Sequence, residues 1–257
     1  RGREREERHP RGELDRLLAH DQLTRDDLHP DLLPFARTPR LYDLVIRLRD
    51  RLDTSTEVTV HRLLWEYGRD TLGVRGGNAF TESEWKTWLS DLANRYRTGA
   101  ETYSFRELGE LAAQPDLSAS DVYRRLSEIV DGHFVRQLPS GTYKLSDQTV
   151  AHALGLALLN HLEEVQLPTQ ASVEIALVQW LDPISGLDER SEILRAAVSI
   201  MLAQGRPIHD AVVTELVAAW LSTQNLAEDH RTELIGLAKP LLRPLLDLLE
   251  RESHGAY

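Results

Sequence analysis

Two adjacent arginines, Arg124 and Arg125, have the chemistry needed to contact nucleic acid. An arginine can donate two hydrogen bonds to guanine or can pair with a phosphate. Three acidic residues lie among them, at Asp121, Glu128 and Asp131, and their charges would repel phosphate. A segment of this mixed charge suits docking against another protein surface. DNA contact through Arg124 and Arg125 is therefore the less favoured alternative.

No complete catalytic or metal-binding motif is present. The sequence lacks G-x-x-x-x-G-K-[ST], G-x-S-x-G and H-E-x-x-H, and the glycine-rich segment 73–78 lacks the lysine of a phosphate loop. His161 and Glu164 share a helical face and could ligate a metal, but a solvated pair is the simpler interpretation. His133 is interpreted as a local hydrogen-bonding residue. We therefore predict no catalytic residue and no metal site in this chain.

The arginine pair lies within residues 103–145, whose pattern predicts a winged helix. Ser118 or Ser120 is placed to cap the helix that carries the arginines. Two strand-like runs, 134–137 and 142–145, surround the turn sequence Pro-Ser-Gly and predict a hairpin. Helix, turn, helix and hairpin is the order of a helix-turn-helix with a wing. Apolar residues at helical spacing define the two helices: Phe105, Leu108, Leu111 and Ala112 in the first, and Val122, Leu126, Ile129 and Val130 in the second.

Composition limits the compartment and the covalent chemistry. The 257 residues include no cysteine, which excludes disulfides and thiolate metal sites, and the only methionine is Met201. Because the sequence starts at Arg1 and not at a methionine, we expect a fragment or a processed product. Apolar runs such as 150–162 are too short and too mixed to span a bilayer. We expect a cytoplasmic protein with no membrane partner.

The formal charge of −11 is unevenly distributed. Residues 1–80 carry no net charge, residues 81–150 carry −3 and residues 151–257 carry −8. Nucleic-acid affinity depends on neutralising phosphates, and a DNA-binding module normally presents a basic face. The slightly acidic winged helix therefore argues against DNA as the main partner.

The whole sequence predicts a mainly α-helical chain of three domains after a charged tail. The tail is 1–12, a helical domain covers 13–78, the winged-helix domain covers 79–148, and a helical array covers 149–257. In the helical domain, Thr24 is placed to cap a helix that runs through Phe35, and Pro39 opens the next. Thr81 and Glu84 form a capping box before the winged helix. The array resembles an α-solenoid in its helix lengths and short joints, without a strict sequence period.

This order of domains resembles the part that follows the nucleotide-binding core in STAND-type NTPases, the NACHT and NB-ARC proteins of signalling and immunity, including bacterial anti-phage systems. Residues 32–45 are similar to the family's lid segment, in which a proline that opens a helix packs on the adenine. Pro39 would be that proline. Residues 142–150 lie where the family has its Met-His-Asp motif, with Leu145, Ser146 and Asp147 in the three places. Serine replaces the histidine that touches the β-phosphate of ADP, and its hydroxyl could still donate a hydrogen bond.

The resemblance implies a regulatory role. Residues 13–78 would be a lid, and the lid and winged helix would close over nucleotide bound by an NTPase core that is absent from this chain. The parent protein would bind ATP or ADP, whereas the chain alone would retain little or no affinity for them. The implied partners are the missing core, a protein ligand bound by residues 149–257, and further copies of the protein on activation.

Each of these features also has a simpler interpretation. Pro39 could be an ordinary first-turn proline, and Ser146 and Asp147 could only cap a helix after a strand. A winged-helix transcription regulator, with flanking helices for effector binding or dimerisation, would have the same order of parts. So would a scaffold whose acidic helical array binds a basic protein.

Overall fold

A computed structural model of the chain describes residues 11–50, 52, 58–70, 80–113, 117–131, 134–204, 208–223 and 246. These residues form eleven α-helices and one two-stranded antiparallel sheet, which confirms the predicted mainly α class with a small β-hairpin. None of the described helices has the length and apolar character that a membrane crossing requires. The glycine-rich segment 73–78, His133 and, apart from residue 246, the last part of the predicted helical array, 224–257, lie outside the described residues.

The chain divides into two compact units, Arg1–Tyr67 and Gly68–Tyr257. Fully buried leucines from several short helices form the core of the first unit, among them Leu14, Leu18, Leu32 and Leu44. Its helices are α1 (Arg11–His20), two 3-10 turns (Arg25–Asp27 and Pro30–Leu32), α2 (Leu33–Ala36), α3 (Pro39–Leu48) and α4, which runs from Val60 to Gly68.

The single helix predicted after Thr24 is wrong, because the chain there forms three short helical pieces. Thr24 does begin the first piece, where its N–H and Oγ1 donate to Asp27 Oδ2 at 2.7 and 2.8 Å. Pro30 and Pro34 lie in the first turns of the second and third pieces, where proline, which has no N–H, can open a helix but cannot continue the preceding one. Pro39 is the first residue of α3, as predicted.

Side-chain caps fix where the helices of the winged helix begin. Thr81 Oγ1 accepts a hydrogen bond from the Glu84 N–H at 3.3 Å, and Glu84 Oε2 accepts one from the Thr81 N–H at 2.6 Å, which confirms the capping box. Ser118 is the cap of the second of the two predicted helices, and its Oγ accepts from the Asp121 N–H at 3.2 Å. The elements are α5 (Glu82–Arg97), α6 (Phe105–Ala112), α7 (Ala119–Asp131), β1 (Val135–Gln137) and β2 (Tyr143–Leu145).

The wing is an antiparallel hairpin in which Val135 pairs with Leu145 and Gln137 with Tyr143. At its turn Gly141 has a φ of +82°, a conformation that glycine adopts without steric cost. Tyr103, just before α6, exchanges two backbone hydrogen bonds with Tyr143, at 2.7 and 2.8 Å. The hairpin is therefore tied to the start of α6, which gives the helix, helix and hairpin arrangement of a winged helix.

Four longer helices follow: α8 (Asp147–Glu163), α9 (Gln170–Leu181), α10 (Leu187–Gln204) and α11 (Asp210–Ser222). Helices α8 and α9 pack as one hairpin and α10 and α11 as another, and the two hairpins stack with α8 along α10 and α9 along α11. Helix α8 also packs extensively along α5. The winged helix and the stacked hairpins consequently share a core within the second unit.

Gly155 permits the close approach of α8 and α10. A β-carbon at this position would lie 2.6 Å from Ala196 Cβ and 2.7 Å from Ala197 N. We expect Gly155→Ala to lower the free energy of unfolding by about 1–3 kcal/mol, because overpacking outweighs the gain in helix propensity. Urea denaturation measures this change.

Gly109 in α6 provides the matched control for Gly155. The atom nearest to a β-carbon there is Leu126 Cδ1, at 3.4 Å, an ordinary van der Waals distance. Gly109→Ala should therefore raise the free energy of unfolding by up to about 1 kcal/mol. Equal effects of the two substitutions would contradict the packing of α8 on α10.

Candidate functional site

The structure separates the two arginines that the sequence places side by side. Arg125 is buried, with 6% of its surface exposed. Its Nη2 donates to Glu84 Oε1 at 2.9 Å, its Nη1 donates to the Ala112 carbonyl at 3.4 Å, and its guanidinium lies 4.7 Å from the centre of the Phe80 ring. These contacts hold α7 against α5 and α6. The Arg125 side chain is therefore not available to DNA, in contrast to the DNA-binding alternative.

Arg124 points to solvent and forms a surface ion pair. Its side chain is 53% exposed, and Nη2 lies 3.2 Å from Asp121 Oδ1. Hydrogen bonds from Ser118 lower the pKa of Asp121, so the acidic partner stays ionised at neutral pH. The exposed arginine is thus accompanied by a negative charge, as the sequence suggested.

The ion pair between Glu84 and Arg125 is charged at neutral pH. Burial raises the pKa of Glu84, but hydrogen bonds from the Thr81 backbone and from Arg125 outweigh it, and the net pKa lies below the ordinary value. The Glu84 side chain is 18% exposed and that of Arg125 is 7% exposed. One carboxylate therefore both caps α5 and neutralises a cation of α7.

The residues predicted to contact nucleotide belong to different units, Pro39 to the first and Ser146 and Asp147 to the second. Pro39 opens α3 and Ser146 precedes α8, but the side chains of Pro39 and Asp147 are outside the described part. The Ser146 backbone is anchored, because its N–H donates to the Phe134 carbonyl at 2.9 Å. Its hydroxyl makes no capping hydrogen bond, so the simple capping interpretation does not explain this side chain.

His161 and Glu164 are exposed at the end of α8, as their helical spacing predicts. Both line the same cavity. Within the described residues, no group of three or more histidine, aspartate or glutamate side chains is arranged to hold a metal ion. The pair therefore has no third ligand in the described part of the chain.

Two neighbouring cavities flank α5 and share Thr87 and Asp91; together we call them the α5 groove. One cavity of about 400 Å³ lies between α5, α8 and α9, and one of about 380 Å³ lies between α5, α6 and α7. The first is mainly polar and includes Asn94, Arg97, Asn160, His161 and Glu164. The second is lined by both apolar and charged side chains and includes Phe80, Glu84, Trp88, Leu111 and Arg125.

The residues of this groove come mainly from five helices, so no local sequence pattern indicates it. Arg97 stacks on Trp180, with the guanidinium carbon 4.9 Å from the ring centre, although the two residues are 83 positions apart. No local pattern signals such a contact. The burial of Arg125, by contrast, could be predicted, because Arg125 follows Val122 by three residues and so lies on the buried stripe of α7.

No protein family model, curated protein or solved structure matches the chain. The order of the elements, the buried ion pair, the spare hydroxyl of Ser146 and the α5 groove are therefore the features on which a function can be proposed.

Proposed function

We propose that this chain is the regulatory and sensor portion of a STAND-like signalling ATPase, of the type that includes bacterial anti-phage systems. The observation that carries the proposal is the order of the parts. A small helical unit, a winged helix and stacked helical hairpins follow one another along the chain. In the proteins that it resembles, the nucleotide-binding core precedes these parts.

Ser146 has the properties of a nucleotide contact in this proposal. It precedes a helix of 17 residues, and the first N–H groups of a helix have no intrahelical acceptor and attract anions. The Ser146 hydroxyl makes no capping hydrogen bond, so it can donate to a phosphate oxygen of ADP. Pro39 would pack on the adenine and Asp147 would lie beside the phosphate contact. These residues bind and orient nucleotide, while phosphoryl transfer belongs to the core outside this chain.

The burial of Arg125 supports docking on protein more than on DNA. The cation that would face phosphate is instead used to join α7 to α5, and the exposed Arg124 is paired with Asp121. With ADP bound, the winged helix would pack against the core and keep it closed. Binding of a protein ligand by residues 149–257 and exchange for ATP would favour a second arrangement of the modules, in which copies assemble.

The coding sequence that precedes Arg1 in the natural gene tests the proposal directly. We expect it to encode an NTPase core with a G-x-x-x-x-G-K-[ST] loop between a strand and a helix. An upstream region without such a core would contradict the proposal.

Duplex DNA binding tests the alternative of a transcription regulator. That alternative predicts binding by the purified chain that weakens as salt concentration rises. We expect a flat titration at low salt. Salt-dependent binding that Arg124→Ala abolishes would favour the DNA-binding alternative.

A further inference from the structure

The α5 groove has the dimensions of a peptide-binding site. Its α5 side runs from Ser83 to Arg97, which is about 20 Å at 1.5 Å per helical residue. An extended segment of about six residues covers that length at roughly 3.3 Å per residue. The two cavities, of about 400 and 380 Å³, adjoin at Thr87 and Asp91.

The two arginines that line the groove are already engaged within the chain. Arg97 stacks on Trp180 and donates from Nη1 to the Trp180 carbonyl oxygen at 3.0 Å. Arg125 is paired with Glu84 at 2.9 Å. Arg125 is therefore neutralised by Glu84, whereas Arg97 keeps its positive charge and is held against Trp180, six residues along α5 from Asp91.

Asp91 provides a carboxylate without a partner at the junction of the two cavities. It is exposed to solvent and forms no ion pair or hydrogen bond within the described residues. Partial burial raises the pKa of Asp91. The positive charge of Arg95 lowers it, but by less. A cation bound beside Asp91 would offset that desolvation. Glu164 lines the cavity between α5, α8 and α9 and adds a second negative charge, while Glu110 in the other cavity is paired with Arg106 at 2.9 Å.

Trp88 is an independent indication that the groove takes a ligand. It lines the cavity between α5, α6 and α7 and is 2% exposed. Its indole Nε1 has no hydrogen-bond acceptor in the part of the chain that the structure describes. Buried donors without an acceptor are rare in native proteins, and a bound segment that opens the cavity toward Nε1 would supply an acceptor.

We propose that the α5 groove binds a basic segment of a partner protein. A lysine or arginine side chain of that segment pairs with Asp91, and its methylene stem lies against the apolar side chains of Trp88 and Leu111. A backbone carbonyl of the segment accepts a hydrogen bond from Trp88 Nε1. An acidic segment would instead meet the carboxylates of Asp91 and Glu164. This site is separate from the proposed nucleotide contact at Ser146.

Titration of the ¹⁵N-labelled full chain with acetyl-Lys-Ala-Lys-Ala-Lys-Ala-amide tests the proposal. The chain has five tryptophans, and each gives one indole N–H signal. We expect saturable shifts of the signals from Trp88 and Trp180, which line the groove, while those of Trp65, Trp85 and Trp220 stay in place. The same peptide with glutamate in place of lysine should shift none of them.

Asp91→Asn separates specific binding from general attraction to an acidic protein. Because the Asp91 side chain is exposed, the variant should fold, and it should weaken lysine-peptide affinity about tenfold through loss of a charge-assisted hydrogen bond. Glu174→Gln removes the same charge from the exposed face of α9 outside the groove and should change affinity less than twofold. Equal affinity of Asp91→Asn and the natural chain, equal binding of the glutamate peptide, or shifts of all five indoles would overturn the proposal. None of these results bears on the nucleotide proposal.

Discussion

Arg125→Ala should lower the free energy of unfolding by about 3–5 kcal/mol, the cost of removing one partner from a buried ion pair. The substitution leaves the Glu84 carboxylate without its cation in a position where it is only 18% exposed. It also removes the stacking of the guanidinium on Phe80. Chemical denaturation measured by circular dichroism gives the change directly.

Arg124→Ala is the matched control for Arg125→Ala. It removes the same side chain from the preceding position of α7. There the side chains of the ion pair are both exposed, Arg124 by 53% and Asp121 by 39%. Surface pairs of this kind contribute about 0–1 kcal/mol. The double variant Glu84→Gln, Arg125→Met should lose less stability than Arg125→Ala, because no buried charge is left unpaired. Equal effects of the two single alanine substitutions would contradict the burial of Arg125.

Acidification should destabilise the chain through His152, which is completely buried in α8 beside Phe134. Burial lowers the pKa of His152 from 6.5 to about 3, so the ring is neutral in the folded protein at neutral pH. Between these two pH values the unfolded chain binds one more proton than the folded chain. The stability is therefore complete above about pH 6.5 and falls by about 1.4 kcal/mol per pH unit below it.

Denaturation midpoints and slopes between pH 7 and pH 5 measure the effect of His152. In His152→Leu the loss of stability that His152 causes between pH 7 and pH 5 should disappear. The substitution also changes the stability itself, but by the same amount at both pH values. His161→Gln, on the exposed side of the same helix, leaves His152 in place and should keep the pH dependence of stability. If His152→Leu and the natural chain lost the same stability between pH 7 and pH 5, His152 would not be the group responsible.

Local signals were sufficient to predict the winged helix. The capping box at Thr81 and Glu84 acts within four residues, and the hairpin depends on a turn at Gly141, so neither needs information from distant residues. Helix α9, Gln170–Leu181, likewise begins at a local signal, since Thr169 caps its first turn.

Contacts between distant residues could not be predicted in the same way. Glu84 and Arg125 are 41 positions apart, and Arg97 and Trp180 are 83 apart, so their pairing depends on how the helices pack. Arg125 has the charge of a surface residue, but its spacing from Val122 places it on the buried face of α7, so charge and helical spacing give opposite predictions for it. The α5 groove likewise exists only once α5, α6, α8 and α9 are assembled.

Hydrogen exchange of the natural full-length protein tests the nucleotide contact most directly. The Ser146 N–H already donates to the Phe134 carbonyl and the Thr149 N–H to the Ser146 carbonyl, so the N–H groups of residues 147 and 148 are the ones that a bound anion can protect. We expect ADP to slow exchange at residues 147 and 148 and at the start of α3, and we expect Ser146→Ala to weaken that protection. Exchange at the start of α8 that is the same with and without ADP, or protection of α7 by duplex DNA in its place, would contradict the proposed regulatory function.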